Sequence, residues 1–332
     1  MKIAPPGKFC FLLTMLLPVL TAAVVAGDFV NFEVPPVHPL DLSPNGSLLA
    51  VCHTADNRVL LYSMASGTPV QTAAIPVGLD PVSVRWRTST ELWVTNHTSD
   101  TVSVVDATAC SVRNTLQTAD EPVDVVFAGT PQRAWVACSQ VNKIQLFDPL
   151  NLAAGVTNEV PLEGEDPRSL AVSPDGSLVY AAIFESGNSS TILGGGADGA
   201  STINVPPNAV SDQAGPYGGI NPPPNSGNNF VPEKNPAAGT PPKVGLIVKK
   251  NSAGAWMDDN AHNWTSLVSG ANASKSGRVV GWDVVDNDVP VINAQTMTVT
   301  YATQMMNLCM ALGVNPATGR VTLVGTEATN EI

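Results

Sequence analysis

Residues 92–106 read LWVTNHTSDTVSVVD, and this stretch decides the fold. Apolar and polar side chains alternate on both sides of a short polar turn at 97–100. Alternation is the period of a β-strand, in which successive side chains point to opposite faces of a sheet. Two such runs joined by a polar turn predict an antiparallel hairpin.

The same pattern recurs when the segments that follow Pro39, Pro81, Pro122 and Pro167 are aligned, at intervals of 42, 41 and 45 residues. Each of the first three units contains four alternating runs separated by turns. Four short strands at this spacing predict one blade of a β-propeller, in which neighbouring blades cover both apolar faces of each sheet. The predicted fold class is therefore all-β, a β-propeller of four-stranded antiparallel blades.

The fourth unit is interrupted by a long insertion. Its opening hairpin ends at Phe184, and NDVPVINAQTMTV at 287–299 aligns without gaps to DTVSVVDATACSV at 100–112. We therefore place an insertion at 187–286, in the connection between the second and third strands of blade 4. That connection lies on the same face as the loops between blades, so the insertion is expected to cover or flank the mouth of the central channel.

The two halves of the insertion differ in composition. Residues 194–243 are rich in Gly, Pro and Asn, which predicts an extended loop, with Tyr217 and Phe230 as its anchors. Residues 244–286 contain a strand-like apolar run and two tryptophans, with a short amphipathic helix near 264–268. This second half predicts a small ordered subdomain.

The remaining boundaries follow from the repeat. They are a signal peptide at 1–26, a leader strand at 27–37, blades 1–3 with the first half of blade 4 at 38–186, and the rest of blade 4 with the start of blade 5 at 287–332. Without the insertion, the repeat accounts for about four and a half blades. Because closed propellers contain whole blades, we expect the N-terminal part of a longer chain with a seven-bladed propeller.

The first residues have the layout of a secretory signal peptide. Lys2 and Lys8 precede an uncharged apolar run at 9–20, and small residues follow before Gly27. The apolar run is shorter than the roughly 20 residues that a membrane-spanning helix needs. We expect cleavage near Gly27, export to the periplasm or the cell surface, and no transmembrane segment in the mature chain.

Composition and cysteine spacing limit the possible partners and cofactors. The chain has 16 Lys and Arg against 28 Asp and Glu, a formal charge of −12, which argues against nucleic acid as a partner. Four cysteines remain in the expected mature chain, and their spacing leaves three disulfide pairings and free thiols open. Neither a C-x-x-C nor a C-x-x-C-H motif is present, so zinc ribbons and covalently attached haem lack their local ligands.

Two groups of residues are candidates for a site. Polar residues at the ends of the second strands approach the channel mouth and are candidate ligand contacts: His53, Asn96, His97 and Cys138. Carboxylates in and after the insertion supply oxygen ligands suited to calcium: Asp258, Asp259, Asp283, Asp286 and Asp288. Calcium is the one cofactor that the sequence suggests, and Asp-rich turns that are simply solvated are the alternative.

The stretch at 92–106 resembles the repeat of the YVTN-type β-propellers, with Trp93 in the tyrosine position and 94–96 matching the rest. SPNGSLLAV at 43–51 and SPDGSLVYA at 173–181 are similar to the inner hairpin of that family. The resemblance implies a scaffold that binds a protein or a small molecule on its top face. The broad class also includes lactonase-like and quinoprotein-like enzymes and propellers fused to c-type cytochromes, so an enzymatic or redox role is the alternative. No catalytic residue is implied, because the motif residues are structural.

Overall fold

The computed structural model describes residues 35–194, 209–220 and 245–328, and its regular structure in these residues is almost entirely β. Blade 1 contains β1 (Leu40–Leu42), β2 (Leu48–His53), β3 (Arg58–Ser63) and β4 (Val70–Pro76). Blade 2 contains β5 (Pro81–Trp86), β6 (Glu91–Asn96), β7 (Thr101–Asp106) and β8 (Ser111–Gln117). Blade 3 contains β9 (Pro122–Ala128), β10 (Arg133–Cys138), β11 (Lys143–Phe147) and β12 (Val156–Pro161).

The fourth blade opens with β13 (Glu165–Val172) and β14 (Leu178–Glu185). The insertion then contributes β15 (Ser190–Leu193), β16 (Leu246–Lys250), β17 (Trp256–Met257) and the short helix α1 (Thr265–Val268). Blade 4 is completed by β18 (Val289–Asn293) and β19 (Val299–Ala302), and a last hairpin is formed by β20 (Leu308–Val314) and β21 (Val321–Thr326). Short 3-10 helices lie at Thr54–Asp56, Leu152–Ala154 and Ala273–Ser276.

The first four blades are four-stranded antiparallel sheets, and the fourth has the order β13-β14-β18-β19. The insertion therefore lies between the second and third strands of that blade. The chain is an all-β propeller with a long insertion in blade 4, and the predicted fold class is confirmed.

Three apolar cores lie between consecutive blades, and the strand period explains how one strand serves two of them. In β6, Leu92 and Val94 face the core shared with blade 1, whereas Trp93 between them faces the core shared with blade 3. Both faces of blade 2 are thus dry, and β6 is buried along its whole length. Burying each large apolar side chain contributes about 1.5–3 kcal/mol, which is why the blades are stable together rather than singly.

The inner strands follow one another around the channel. A parallel bridge joins His38 to Ser83 beside β5, and β9, β13 and β20 pack in turn against the preceding inner strand. Residues 35–37 contain no strand, and residues 27–34 of the predicted leader strand lie outside the described residues.

The insertion has its own small core around two buried tryptophans, Trp256 and Trp264. Residues 209–220 form turns that pack against this core, with Ala209 and Val210 buried. This part of the predicted extended loop is therefore folded onto the subdomain, because it supplies apolar side chains that the subdomain needs. Phe230, the second predicted anchor, lies outside the described residues.

No helix in the described ranges is long and apolar enough to cross a membrane.

Candidate ligand-binding site at the channel mouth

Three repeat-equivalent acidic residues stand at one end of the channel. Asp80, Glu121 and Asp166 each precede the proline of an inner strand, and their φ angles are 58°, 57° and 56°. This left-handed region is uncommon for residues other than glycine. The turns between the second and third strands of the preceding blades stabilise it.

The bracing contact is the same in all three places. The acidic residue donates its backbone N–H to the side-chain oxygen of a left-handed turn residue in the blade before it. The pairs are Asp80 to Asn57 at 2.8 Å, Glu121 to Asp100 at 3.0 Å, and Asp166 to Asn142 at 3.0 Å. Each blade thus fixes the position of an acidic residue on the next one.

A cavity of about 250 Å³ opens between blades 2, 3 and 4 at this end of the channel. Its polar lining is His97, Glu121, Ser139, Asp166 and Arg168, and its apolar lining is Pro35, Val123, Phe184 and Met310. His97 and Ser139 are repeat equivalents, since each follows a second strand and donates its backbone N–H to the carbonyl of the local acidic residue at 2.9 Å.

His97 is the most unusual group in this cavity. Its side chain is only 7% exposed, and Nε2 lies 3.8 Å from the Glu121 Oε2 atom. The other ring nitrogen, Nδ1, is buried and has no hydrogen-bond partner within the described residues. An unpaired buried polar atom costs about 1–3 kcal/mol, so this nitrogen favours a partner beyond those that the described residues supply.

Glu121 lies between the histidine and a serine. The Ser139 hydroxyl donates to Glu121 Oε2 at 3.1 Å, the same oxygen that lies 3.8 Å from His97 Nε2. The order is therefore serine, carboxylate, histidine. A nucleophilic serine requires the histidine beside the hydroxyl, with the carboxylate behind it.

The electrostatics of the mouth are dominated by like charges. Burial raises the pKa of Asp166, and the neighbouring carboxylates of Glu121 and Glu165 raise it further. Burial and the charges of Asp166 and Glu165 likewise raise the pKa of Glu185, which pairs with Glu165 directly across β13 and β14. Opposed carboxylates repel each other, so this end of the channel attracts positive charge.

Arg168 is the one guanidinium that lines the cavity. It donates to the Pro35 carbonyl at 2.5 Å, and its Cζ atom lies 5.5 Å from the centre of the Phe184 ring. Burial lowers the pKa of Arg168, although the charge of Asp166 opposes the shift. The guanidinium therefore packs against an aromatic ring, close to the acidic residues.

Of the four predicted ligand contacts, only His97 lines the cavity. His53 is exposed, 3.9 Å from Asp56. Asn96 is fully buried and donates to two hydroxyl groups in β7, so it is a structural residue of the motif. Cys138 is fully buried as a free thiol, and burial raises its pKa to about 12.

The five predicted calcium ligands do not form one cluster, and four of them contact other residues of the chain. Asp258 accepts from Trp264 inside the insertion, and Asp283 pairs with Lys250. Asp286 and Asp288 accept backbone N–H groups of the loop at 304–306. Asp259 is an exposed residue next to buried Asp258. The described part of the chain contains no group of three His, Cys, Asp or Glu side chains placed to hold a metal ion.

The cavity residues that sequence analysis missed have a sequence signal. The residue before each repeat proline is acidic in three consecutive blades, at positions 80, 121 and 166. The insertion, expected to cover or flank the mouth, contributes no described residue to the cavity lining.

Fold and cavity together define a β-propeller with an acidic cavity at one end of its channel. No known family and no curated protein sequence matches the chain. The structure is similar to Kuenenia stuttgartiensis hydrazine synthase at 15% identity, with a TM-score of 0.44, covering 91% of this chain and 99% of the other. A functionally unknown protein from Desulfotomaculum acetoxidans is similar at 12% identity with a TM-score of 0.39, covering 45% of this chain and 52% of that one.

Proposed function

We propose that this protein is an exported binding propeller that takes a small ligand, or one side chain of a partner protein, into the mouth cavity. The observation that carries the proposal is His97, a buried side chain that lines the cavity and has a ring nitrogen without a hydrogen-bond partner among the described residues. Binding cavities typically combine apolar walls with a few polar groups that lack internal partners, and this lining has that composition.

The cavity can be tested without knowing the ligand. Met310 is 41% exposed and lines the cavity, so Met310→Trp would fill it from the solvent side. Met305 is 48% exposed, lies outside the lining, and gives the matched control Met305→Trp. Melting temperatures would be measured with a panel of amines, carboxylates, sugars and capped amino acids.

At least one compound should raise the melting temperature of the native chain and of Met305→Trp. A ligand at about 100 times its Kd stabilises the folded state by about 2.7 kcal/mol, which is a shift of a few degrees. The Met310→Trp variant should lose the shift. Equal shifts in both variants, or none with any compound, would refute the proposal.

The enzymatic alternative lacks support from a specific contact. The Ser139 hydroxyl donates to the Glu121 carboxylate, whereas a nucleophilic serine donates to a histidine. We therefore prefer binding to catalysis.

Export and membership of the YVTN-type propellers belong to the same proposal. The layout of residues 1–26 supports export. The hydrogen bonds that buried Asn96 donates to β7 support the YVTN-type repeat. Expression in a bacterial host, followed by intact-mass measurement, tests the first part. A mature protein that starts near Gly27 in the periplasmic fraction is expected, and retention of residues 1–26 would contradict it.

A further inference from the structure

We infer that the mouth cavity selects an alkylammonium group, either a lysine side chain of a partner or a free amine, an inference that rests on the proposed function. The ammonium head would lie between Glu121 and Asp166, with its aliphatic stem against Phe184 and Met310. Both carboxylates and both apolar side chains line the same cavity.

The charge balance favours a cation. Four carboxylates interact around the mouth, those of Glu121, Glu165, Asp166 and Glu185. Two of them, Glu121 and Asp166, line the cavity together with the guanidinium of Arg168. Asp166 accepts no hydrogen bond in the described part of the chain, so its carboxylate is available for an external donor. A cation here relieves the repulsion among these carboxylates.

The second, independent observation is the ring of His97. Its Nε2 atom faces Glu121, and in the tautomer with the proton on that atom Nδ1 is an acceptor. Nδ1 is buried and unpartnered within the described residues, although His97 lines the cavity. An ammonium group carries three donors, enough for both carboxylates and one further acceptor of the lining.

The position of Arg168 shows how a cation is accommodated. Its guanidinium lies over the Phe184 ring at 5.5 Å, beside the acidic residues. Arg168 also lowers the local negative charge, so it should weaken cation binding rather than assist it.

A metal cation fits less well. No three His, Cys, Asp or Glu side chains of the described residues are placed to hold a metal ion. Nearly half of the lining residues are apolar, which suits a hydrocarbon stem and not a hydrated divalent ion.

The test is titration calorimetry at low salt with N-acetyl-lysine-methylamide, n-pentylamine and N-acetyl-norleucine-methylamide, the last being an uncharged analogue of the capped lysine. The first two probes should bind and the third should not. Tighter binding of the capped lysine than of pentylamine would indicate a partner side chain, and the reverse order a free amine.

Charge variants sharpen the test in two directions. Glu121→Gln with Asp166→Asn should weaken amine binding about ten-fold, and Arg168→Gln should tighten it about three-fold. Asp106→Asn with Asp148→Asn removes the same charge at the opposite blade ends and should change affinity by less than about two-fold. Asn293 already caps the equivalent turn of blade 4, so this control keeps the native turns.

The outcomes separate the two proposals. Binding of the uncharged analogue, or weaker amine binding in Arg168→Gln, would overturn the alkylammonium inference and leave a binding cavity in place. If no amine binds while another compound of the melting-temperature panel does, only the alkylammonium inference fails. If no compound of either set binds in the cavity, both proposals fail. Because the Arg168→Gln variant is expected to gain affinity, misfolding cannot produce the supporting result.

Discussion

Arg85 Nη2 lies 2.8 Å from Asp124 Oδ2, and this ion pair joins the inner strand of blade 2 to that of blade 3. The Asp124 carboxylate is fully buried, and it also accepts the Ser83 hydroxyl at 2.6 Å and the Leu170 amide at 2.9 Å. Arg85 donates in turn to the Leu170 carbonyl in blade 4 at 3.0 Å. One carboxylate thus ties three consecutive blades together at the channel wall.

Asp124→Asn should lower the free energy of unfolding by about 3–5 kcal/mol, because it leaves the partly buried Arg85 charge without its partner. Urea denaturation measures the change. The double variant Arg85→Met with Asp124→Asn should recover part of the loss, since no unpaired charge remains. A single variant as stable as the native chain would show that the pair contributes little.

Acid should weaken the same connection. Burial alone would raise the pKa of Asp124, but the charge and hydrogen bonds of Arg85 and the Ser83 hydroxyl place it below the ordinary value. A lowered pKa contributes stability that is complete above the unfolded value of about 3.9 and is lost as the pH falls through the folded value.

Urea midpoints of the native chain and Asp124→Asn, measured from pH 7 down to about pH 2, should therefore converge as the pH falls. The other carboxylates are common to both chains and cancel in the difference. A difference between the two midpoints that stays constant from pH 7 to about pH 2 would contradict the lowered pKa of Asp124.

The contact that Asn142 makes to the next blade has two contributions, the side-chain oxygen that accepts the hydrogen bond and the left-handed backbone of the turn. Asn142→Gly removes only the side-chain oxygen that receives the Asp166 N–H, because glycine adopts the φ of 52° freely. Asn142→Ala removes the oxygen and also disfavours that φ. We expect losses of about 1 and about 2 kcal/mol, respectively, in urea unfolding. A larger loss for the glycine variant would refute this account.

The packing of residues 209–220 on the insertion should depend on one buried carboxylate, that of Asp258. Asp258 accepts hydrogen bonds from Trp264 Nε1 and the Tyr217 hydroxyl, both at 2.9 Å. Burial and the charge of Asp258 raise the pKa of Tyr217 to about 12, so the hydroxyl stays a donor at neutral pH. In Asp258→Asn, one accepting oxygen becomes an amide that cannot accept.

Limited proteolysis within 209–220 should be faster in Asp258→Asn, with a local loss of about 2 kcal/mol. The matched control is Asp283→Asn, whose pair with Lys250 is exposed and worth at most about 1 kcal/mol. Equal cleavage rates in the two variants would rule out Asp258 as the anchor of this segment.

The blades were predictable because their signal is local. A strand needs only alternation and a turn, so the run at 92–106 predicted β6 and β7, and the alignment of 287–299 predicted β18 across the insertion. The packing of 209–220 was not predictable, because it depends on contacts with Trp264, far along the chain. Polar, glycine-rich composition predicts a loop but does not tell where that loop lies.

The candidate site was predictable only in part. The sequence pointed to the ends of the second strands, and only His97 of the four predicted residues lines the cavity. The acidic residues before the prolines were visible in the alignment, but their approach to one another depends on blade packing and on left-handed backbone angles. Neither the packing of the blades nor the backbone angles can be read from a single sequence.

The split of blade 4 has a consequence for biosynthesis. Strand β14 is complete at Glu185, whereas its partner β18 begins at Val289. At ribosomal rates of about 5–20 residues per second, the hairpin of β13 and β14 waits roughly 5–20 seconds with an open edge before its partner emerges. During that interval the nascent sheet is a template for wrong pairing, so the order of translation exposes this blade more than any of the three before it.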